Sequence, residues 1–172
     1  MAIFGRGEAR ARMRALERAG ERRRSGDGAA AVDELAPLLV SQPDDPAANI
    51  EMARALQLLG DVAGAEEHYR GALRVSLSYQ IVVELAGVIG AQGRAQEADE
   101  TLDAALVMTQ RDRTLDPGEV HLMRAMLAAG SGRRADAEDA LERLEGSKPA
   151  EHLLAYGRRV RERLGPPPGE GR

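Results

Sequence analysis

Four glycines, Gly26, Gly60, Gly93 and Gly132, punctuate the chain at intervals of 34, 33 and 39 residues. Small side chains recur around each one at fixed offsets. Seven residues before stand Ala19, Ala53, Ala86 and Ala125, and five after stand Ala31, Ala65, Ala98 and Ala137. Four positions further on comes a large residue (Leu35, Tyr69, Leu102, Leu141), and three beyond that Leu38, Ala72, Ala105 and Leu144. Offsets of three and four place residues on one face of a helix. A glycine between two such runs ends the first helix, because it takes the left-handed conformation without steric cost. An alanine on each side of the turn lets two antiparallel helices cross with their backbones close. The large residue fills the space between one hairpin and the next. Such hairpins bury their apolar faces by stacking on one another.

Composition agrees with an all-helical chain. Aromatic residues are 2% of the sequence, while alanine, leucine, arginine and glutamate, all strong helix formers, dominate it. No run alternates with period two, so no sheet is expected. A chain of 172 residues is one ordinary domain, long enough to bury roughly 70% of its unfolded surface. Cysteine is absent, which excludes disulfides and thiolate metal sites. Lys148 is the only lysine, a substitution pattern expected of a high-GC bacterial genome.

The glycine-alanine pattern resembles the tetratricopeptide (TPR) repeat, a helix–turn–helix unit of about 34 residues. The resemblance covers roughly residues 12–150 and implies a right-handed α-solenoid of about four repeats, at 12–45, 46–78, 79–112 and 118–150. "NIEMARALQLLGDVAGAEEHYRGAL" and "VVELAGVIGAQGRAQEADETLDAAL" carry it most fully. In the first unit Arg18 and Arg22 stand where apolar residues are expected, and Pro37 predicts a kink or a late start in the second helix. In the fourth, Arg124 and Ala128 occupy large apolar positions, and the insertion "TQRDRTLDP" precedes it. Residues 151–164 read as a capping helix that shields the last hairpin from water. Residues 1–11 form a basic extension, and 165–172 a disordered tail.

No catalytic pattern emerges. His68, His121 and His152 lie in different helical segments, with no two on one i, i+4 face, so no metal site is expected. The glycine-rich stretches match neither phosphate-binding pattern and follow no strand. Carboxylate pairs sit on helix surfaces, where they solvate an outer face, and no serine has a nucleophile context. The chain is read as non-enzymatic, with no cofactor and no metal.

Charge is uneven. Residues 1–24 hold eight arginines against three acids, whereas residues 25–112 hold five against fifteen; the formal net charge is −4. The basic end has a thin apolar face and no interleaved aromatic residues, so nucleic acid is not an expected partner. It could instead dock on an acidic neighbour, including a second copy of the chain. No segment is apolar enough to span a membrane, and "MAIFGRGEARARMR" lacks the apolar core of a signal peptide. A cytoplasmic protein is expected.

The TPR resemblance implies a concave surface lined by the first helix of each repeat. The candidate partner-binding residues there are Ile50, Glu51, Arg54, Leu58, Val83, Glu84, Leu122 and Met126, with Met13, Leu16, Gln57, Gln80 and Met123 beside them. Some TPR adaptors clamp a C-terminal carboxylate with basic groups. Here Arg54 alone stands for such a set, flanked by Glu51 and Glu84, so that clamp is not expected. The surface suits an apolar or amphipathic protein segment, held by a scaffold or adaptor. Two alternatives share the same repeats: a self-assembling structural subunit and a small TPR chaperone of a bacterial secretion system.

Overall fold

A computed structural model describes residues 6–166, and among them every regular element is an α-helix. In chain order these are α1 (Arg6–Arg24), α2 (Gly28–Ser41), α3 (Pro46–Leu59), α4 (Val62–Val75), α5 (Tyr79–Ala91), α6 (Ala95–Arg111), α7 (Pro117–Gly130), α8 (Arg134–Gly146) and α9 (Glu151–Leu164). Residues 1–5, with Phe4, and the tail from 167 onward lie outside the described residues. The chain divides into two compact units, Met1–Ile81 and Val82–Arg172, with the boundary inside α5.

The four punctuating glycines stand at the turns with φ of +85°, +81°, +79° and +74°, a conformation that strains any L side chain. All eight alanines flanking the turns, from Ala19 and Ala31 to Ala125 and Ala137, are fully buried. Leu35, Tyr69, Leu102 and Leu141 are buried four positions beyond. Sequence spacing thus becomes packing: Leu35 joins Ala48 and Met52 of the next hairpin in one core cluster, and Leu141 joins Leu153 and Val160 of α9 in another.

In the first unit α1 pairs with α2 and α3 with α4, and both α1 and α2 lie against α3. Ala15, Ala19, Ala31, Leu35, Leu38, Ala48, Met52 and Ala55 form one core cluster there. α3 starts at Asp45-Pro46. Proline suits the first helical position, where its missing N–H would have had no partner. The Asp45 carboxylate accepts from the Ala47 and Ala48 amides at 3.0 and 3.1 Å. Arg12 of α1 grips the same carboxylate through Nε and through Nη2 at 2.9 Å. Burial alone would raise the Asp45 pKa, but Arg12 and the two amides outweigh it and hold the carboxyl below its usual range.

Two expectations change here. α2 does not start late, since it runs unbroken from Gly28, where the Asp27 carboxylate caps it by accepting from Ala30 N at 3.0 Å. Pro37 sits on its exposed side, where water can reach the carbonyl that the proline ring leaves unbonded. Arg18, expected at an apolar position, is exposed and donates to Glu34 across the helix pair at 2.8 Å.

In the second unit α7 pairs with α8, α9 packs on both, and α6 lies against α7. Leu122, Ala125, Ala140, Leu141, Leu144, Leu153 and Val160 form its core cluster, so α9 covers the last hairpin as a cap. The approach is close: a Cβ added to Gly157 of α9 would lie 2.7 Å from Leu144 Cδ2. α9 is also tied at both ends. Asp116, which caps α7 through Gly118 N at 2.7 Å, accepts from Ala150 N at 3.2 Å. At the far end Arg134 donates to the otherwise orphaned carbonyls of Leu164 and Gly165. Of the "TQRDRTLDP" insertion, Thr109–Arg111 extend α6, Asp112 organises a turn by accepting from Thr114, and Pro117 opens α7. Arg124, half-buried, bridges α7 to Asp99 and Asp103 of α6 at 3.2 and 2.7 Å, while Ala128 is fully buried.

Candidate functional site

Helices α1 and α3, the first helices of two successive hairpins, flank a cleft of about 500 Å³. Leu16, Gly20, Ala47 and Ile50 line it with Glu17, Glu21, Arg24, Glu51 and Arg54. The composition of α3 explains why this face is left open. Ala48, Met52, Ala53 and Ala55 turn into the core, so Ile50, Arg54 and Leu58, spaced i, i+4 and i+8, share the outer stripe. Ile50 and Arg54 are half-buried, and Leu58 is 49% exposed at the end of the stripe.

Glu51 is not a lone acid beside this strip. Its carboxylate accepts from Arg23 Nε and from Arg54 Nη1, both at 3.0 Å. Two guanidiniums on one carboxylate leave the triad with a local charge of +1, so Glu51 has little left to steer a basic ligand. Glu17 and Glu21 are the acids of the cleft outside that triad. They stand one turn apart on the α1 side of the cleft, exposed and without an ion pair among the described residues. Sequence reasoning passed over them because they lie in an arginine-rich stretch; their i, i+4 spacing beside Leu16 was the available signal.

A second cleft in the same unit, of about 670 Å³, is lined by Ala9, Met13, Pro43 and Pro46 and walled by the Arg12–Asp45 pair. Met13, a residue of the implied concave surface, is exposed there. Gln57 instead accepts from the hydroxyl of the buried Tyr69 at 2.7 Å and so closes the α3–α4 pair.

The second unit treats its candidate residues differently. Val83 and Leu122 are 7% and 8% exposed, which puts them in the core rather than on an open surface. α5 is apolar on nearly all sides, "IVVELAGVIG", and so is buried on nearly all sides. Glu84 is half-buried, Met123 packs over Gly87, and Met126 is 48% exposed. Glu84 lies close enough to Glu119 to matter electrostatically. Burial and Asp116 push the Glu119 carboxyl upward, His152 opposes them, and Glu84 adds to the rise.

The histidines are scattered. His68 Nδ1 meets Asn49 Oδ1 at 2.8 Å, and the Asn49 amide donates to the Pro43 and Asp45 carbonyls. The Asn49 oxygen is therefore the acceptor, and His68 carries its proton on Nδ1. His121 Nδ1 is buried without a hydrogen-bond partner among the described residues. No group of three His, Asp or Glu residues among those described is placed to hold a metal ion. No described helix is long and apolar enough to cross a membrane.

No protein-family model matches the chain, and no curated protein does. Among solved structures it is similar to PilW, described as a widely conserved type IV pilus biogenesis factor, at a TM-score of 0.66. The match has 22% sequence identity and covers 87% of this chain and 74% of PilW. At that identity the likeness shows the helical fold shared by the two chains.

Proposed function

We propose that the chain is a non-catalytic protein-interaction adaptor of the tetratricopeptide type that holds an amphipathic partner segment in the α1–α3 cleft. The observation that carries this reading is the open cleft between α1 and α3, whose apolar lining is Leu16, Gly20, Ala47 and Ile50, with Leu58 exposed further along the Ile50 face of α3. A helical fold shared with a pilus biogenesis factor supports a role in assembling proteins rather than in chemistry. The fitting segment places apolar anchors at i, i+3 or i+4 and i+7, with lysine or arginine toward Glu17 and Glu21. Burial of the anchors supplies most of the affinity, at ~25 cal/mol per Å² removed from water. Each exposed acid adds about 0.2–1 kcal/mol and sets the orientation.

Comparative capture from cells with the full chain tests this. Ile50→Asp and Leu58→Asp are expected to lose the captured partner while melting as the parent does. Val40→Asp, a control on the exposed side of α2, is expected to keep it. If folded Ile50→Asp and Leu58→Asp variants retain every captured protein, the cleft is not the binding surface.

A further inference from the structure

The capping helix α9 carries more arginine than its packing uses. Leu153, Gly157 and Val160 are buried against α7 and α8. Arg161, at the edge of that interface, is committed to Glu138 and Glu145 at 3.2 and 2.6 Å. Arg158, Arg159 and Arg163 are exposed and make no ion pair among the described residues. Tyr156, Arg159 and Arg163 follow at i, i+3 and i+7 and form one exposed stripe. Tyr156 is 51% exposed, and the Arg159 guanidinium lies over its ring, 5.4 Å from the centroid. A guanidinium held on an aromatic face is pre-positioned, with the N–H groups along its edge free to grip a planar anion.

We infer that this stripe is a second docking surface, separate from the α1–α3 cleft, whose partner is a short acidic protein segment. Size decides the class of partner. From Glu151 to Leu164 the helix has four arginines and two acids, whereas the rest of residues 82–172 has nine basic and fourteen acidic residues. The positive field is thus confined to about two turns of helix within an acidic unit. A nucleic acid gains affinity by neutralising many phosphates in a row, and along this unit it would run from three arginines onto carboxylates. An anionic membrane would meet the same acids, with Tyr156 as the only large apolar residue of the stripe to insert. A helical or extended segment with two carboxylates one turn apart and an apolar residue between them fits the patch. The carboxylates pair with Arg159 and Arg163, and the apolar residue packs on the Tyr156 ring.

Fluorescence anisotropy with the whole protein and a labelled peptide of repeated Glu-Glu-Leu-Ala tests the inference. The peptide is expected to bind at low salt, and its Gln-Gln-Leu-Ala counterpart is not. Arg159→Glu with Arg163→Glu should weaken binding about tenfold or more. Arg111→Glu with Arg113→Glu makes the same change of net charge elsewhere in the unit and should leave binding unchanged. Equal weakening by both double variants would reduce the effect to net charge and overturn the inference. So would tighter binding of single-stranded DNA or of phosphatidylserine vesicles through the same arginines. Self-association that disappears in the Arg159/Arg163 variant would make a second copy the occupant, and would overturn it too. Ile50→Asp, which disables the α1–α3 cleft, is expected to leave peptide binding intact, so the two surfaces fail independently.

Discussion

Both units begin a first helix in the same way and a second helix in different ways. α3 and α7 each open on Asp-Pro, with the aspartate capping and the proline in the first turn. The second helices share their left-handed glycine and then diverge. In the first unit Gly26 and Gly60 are followed by Asp27 and Asp61, whose carboxylates accept from Ala30 N and Gly64 N. In the second unit Gly93 and Gly132 are followed by Arg94 and Arg133, and neither side chain caps. An arginine has no acceptor to offer an orphan amide. There the carboxylate has moved to the third helical position, as Glu97 and Asp136, and the arginine binds it at 2.9 and 3.2 Å. An acid in the first turn still favours the positive end of the helix. The turn is fixed by the glycine, and the capping chemistry around it is free to vary.

The largest effects should be common to both units, because the helix crossings are. Ala65→Leu and Ala137→Leu each force a large side chain into a fully buried crossing and should lower stability by about 1–3 kcal/mol in urea titrations. Tolerance of one but not the other would mean that the units differ in their crossings as well as in their caps. The next effects should separate the units. Asp27→Ala and Asp61→Ala remove a cap each and should cost about 1 kcal/mol. Arg94→Ala and Arg133→Ala remove half-buried ion pairs but no cap and should cost less, about 0.5 kcal/mol. Equal losses in all four variants would show that capping is not what distinguishes the turns.

The smallest effect concerns acid. Burial lowers the pKa of both His68 and His121, with Arg124 and Arg143 pressing further on His121 and Asp139 and Asp116 opposing them. A group with a depressed folded pKa stabilises the fold above its unfolded pKa, and that contribution is lost as the pH falls. Stability should therefore decline as the pH falls below about 6.5, the ordinary histidine value. His121→Gln and His68→Gln should each flatten that decline, and His68→Gln should also lower stability at both pH values, because glutamine loses the Nδ1–H bond to Asn49. Urea titrations at pH 7.5 and 5.5 on the parent and both variants would show whether they do.

The helical hairpins were legible because glycine and alanine report their own reasons: a positive φ and a crossing both admit almost nothing else. All four glycines fell at turns and all eight alanines in the core. The binding surface was less legible. Val83 and Leu122 fit the spacing of a concave face, but spacing fixes the side of a helix and not how deeply that side is covered. Glu51 looked like a free acid, because its pairing with Arg23 crosses from α3 to α1 and leaves no mark in local sequence. Arg18 and Arg124 looked like flaws in an apolar pattern, yet each bridges to an acid on a neighbouring helix, Glu34 and Asp99.

The carboxylate of Asp45 serves two masters, the amides at the start of α3 and the guanidinium of Arg12 on α1. Peeling α1 away would strip that carboxylate of its counter-charge and at the same time expose the first turn of α3 to fraying. The two events form a single mechanical step. One charge thus fastens the first turn of α3 to α1, so that the two loosen together.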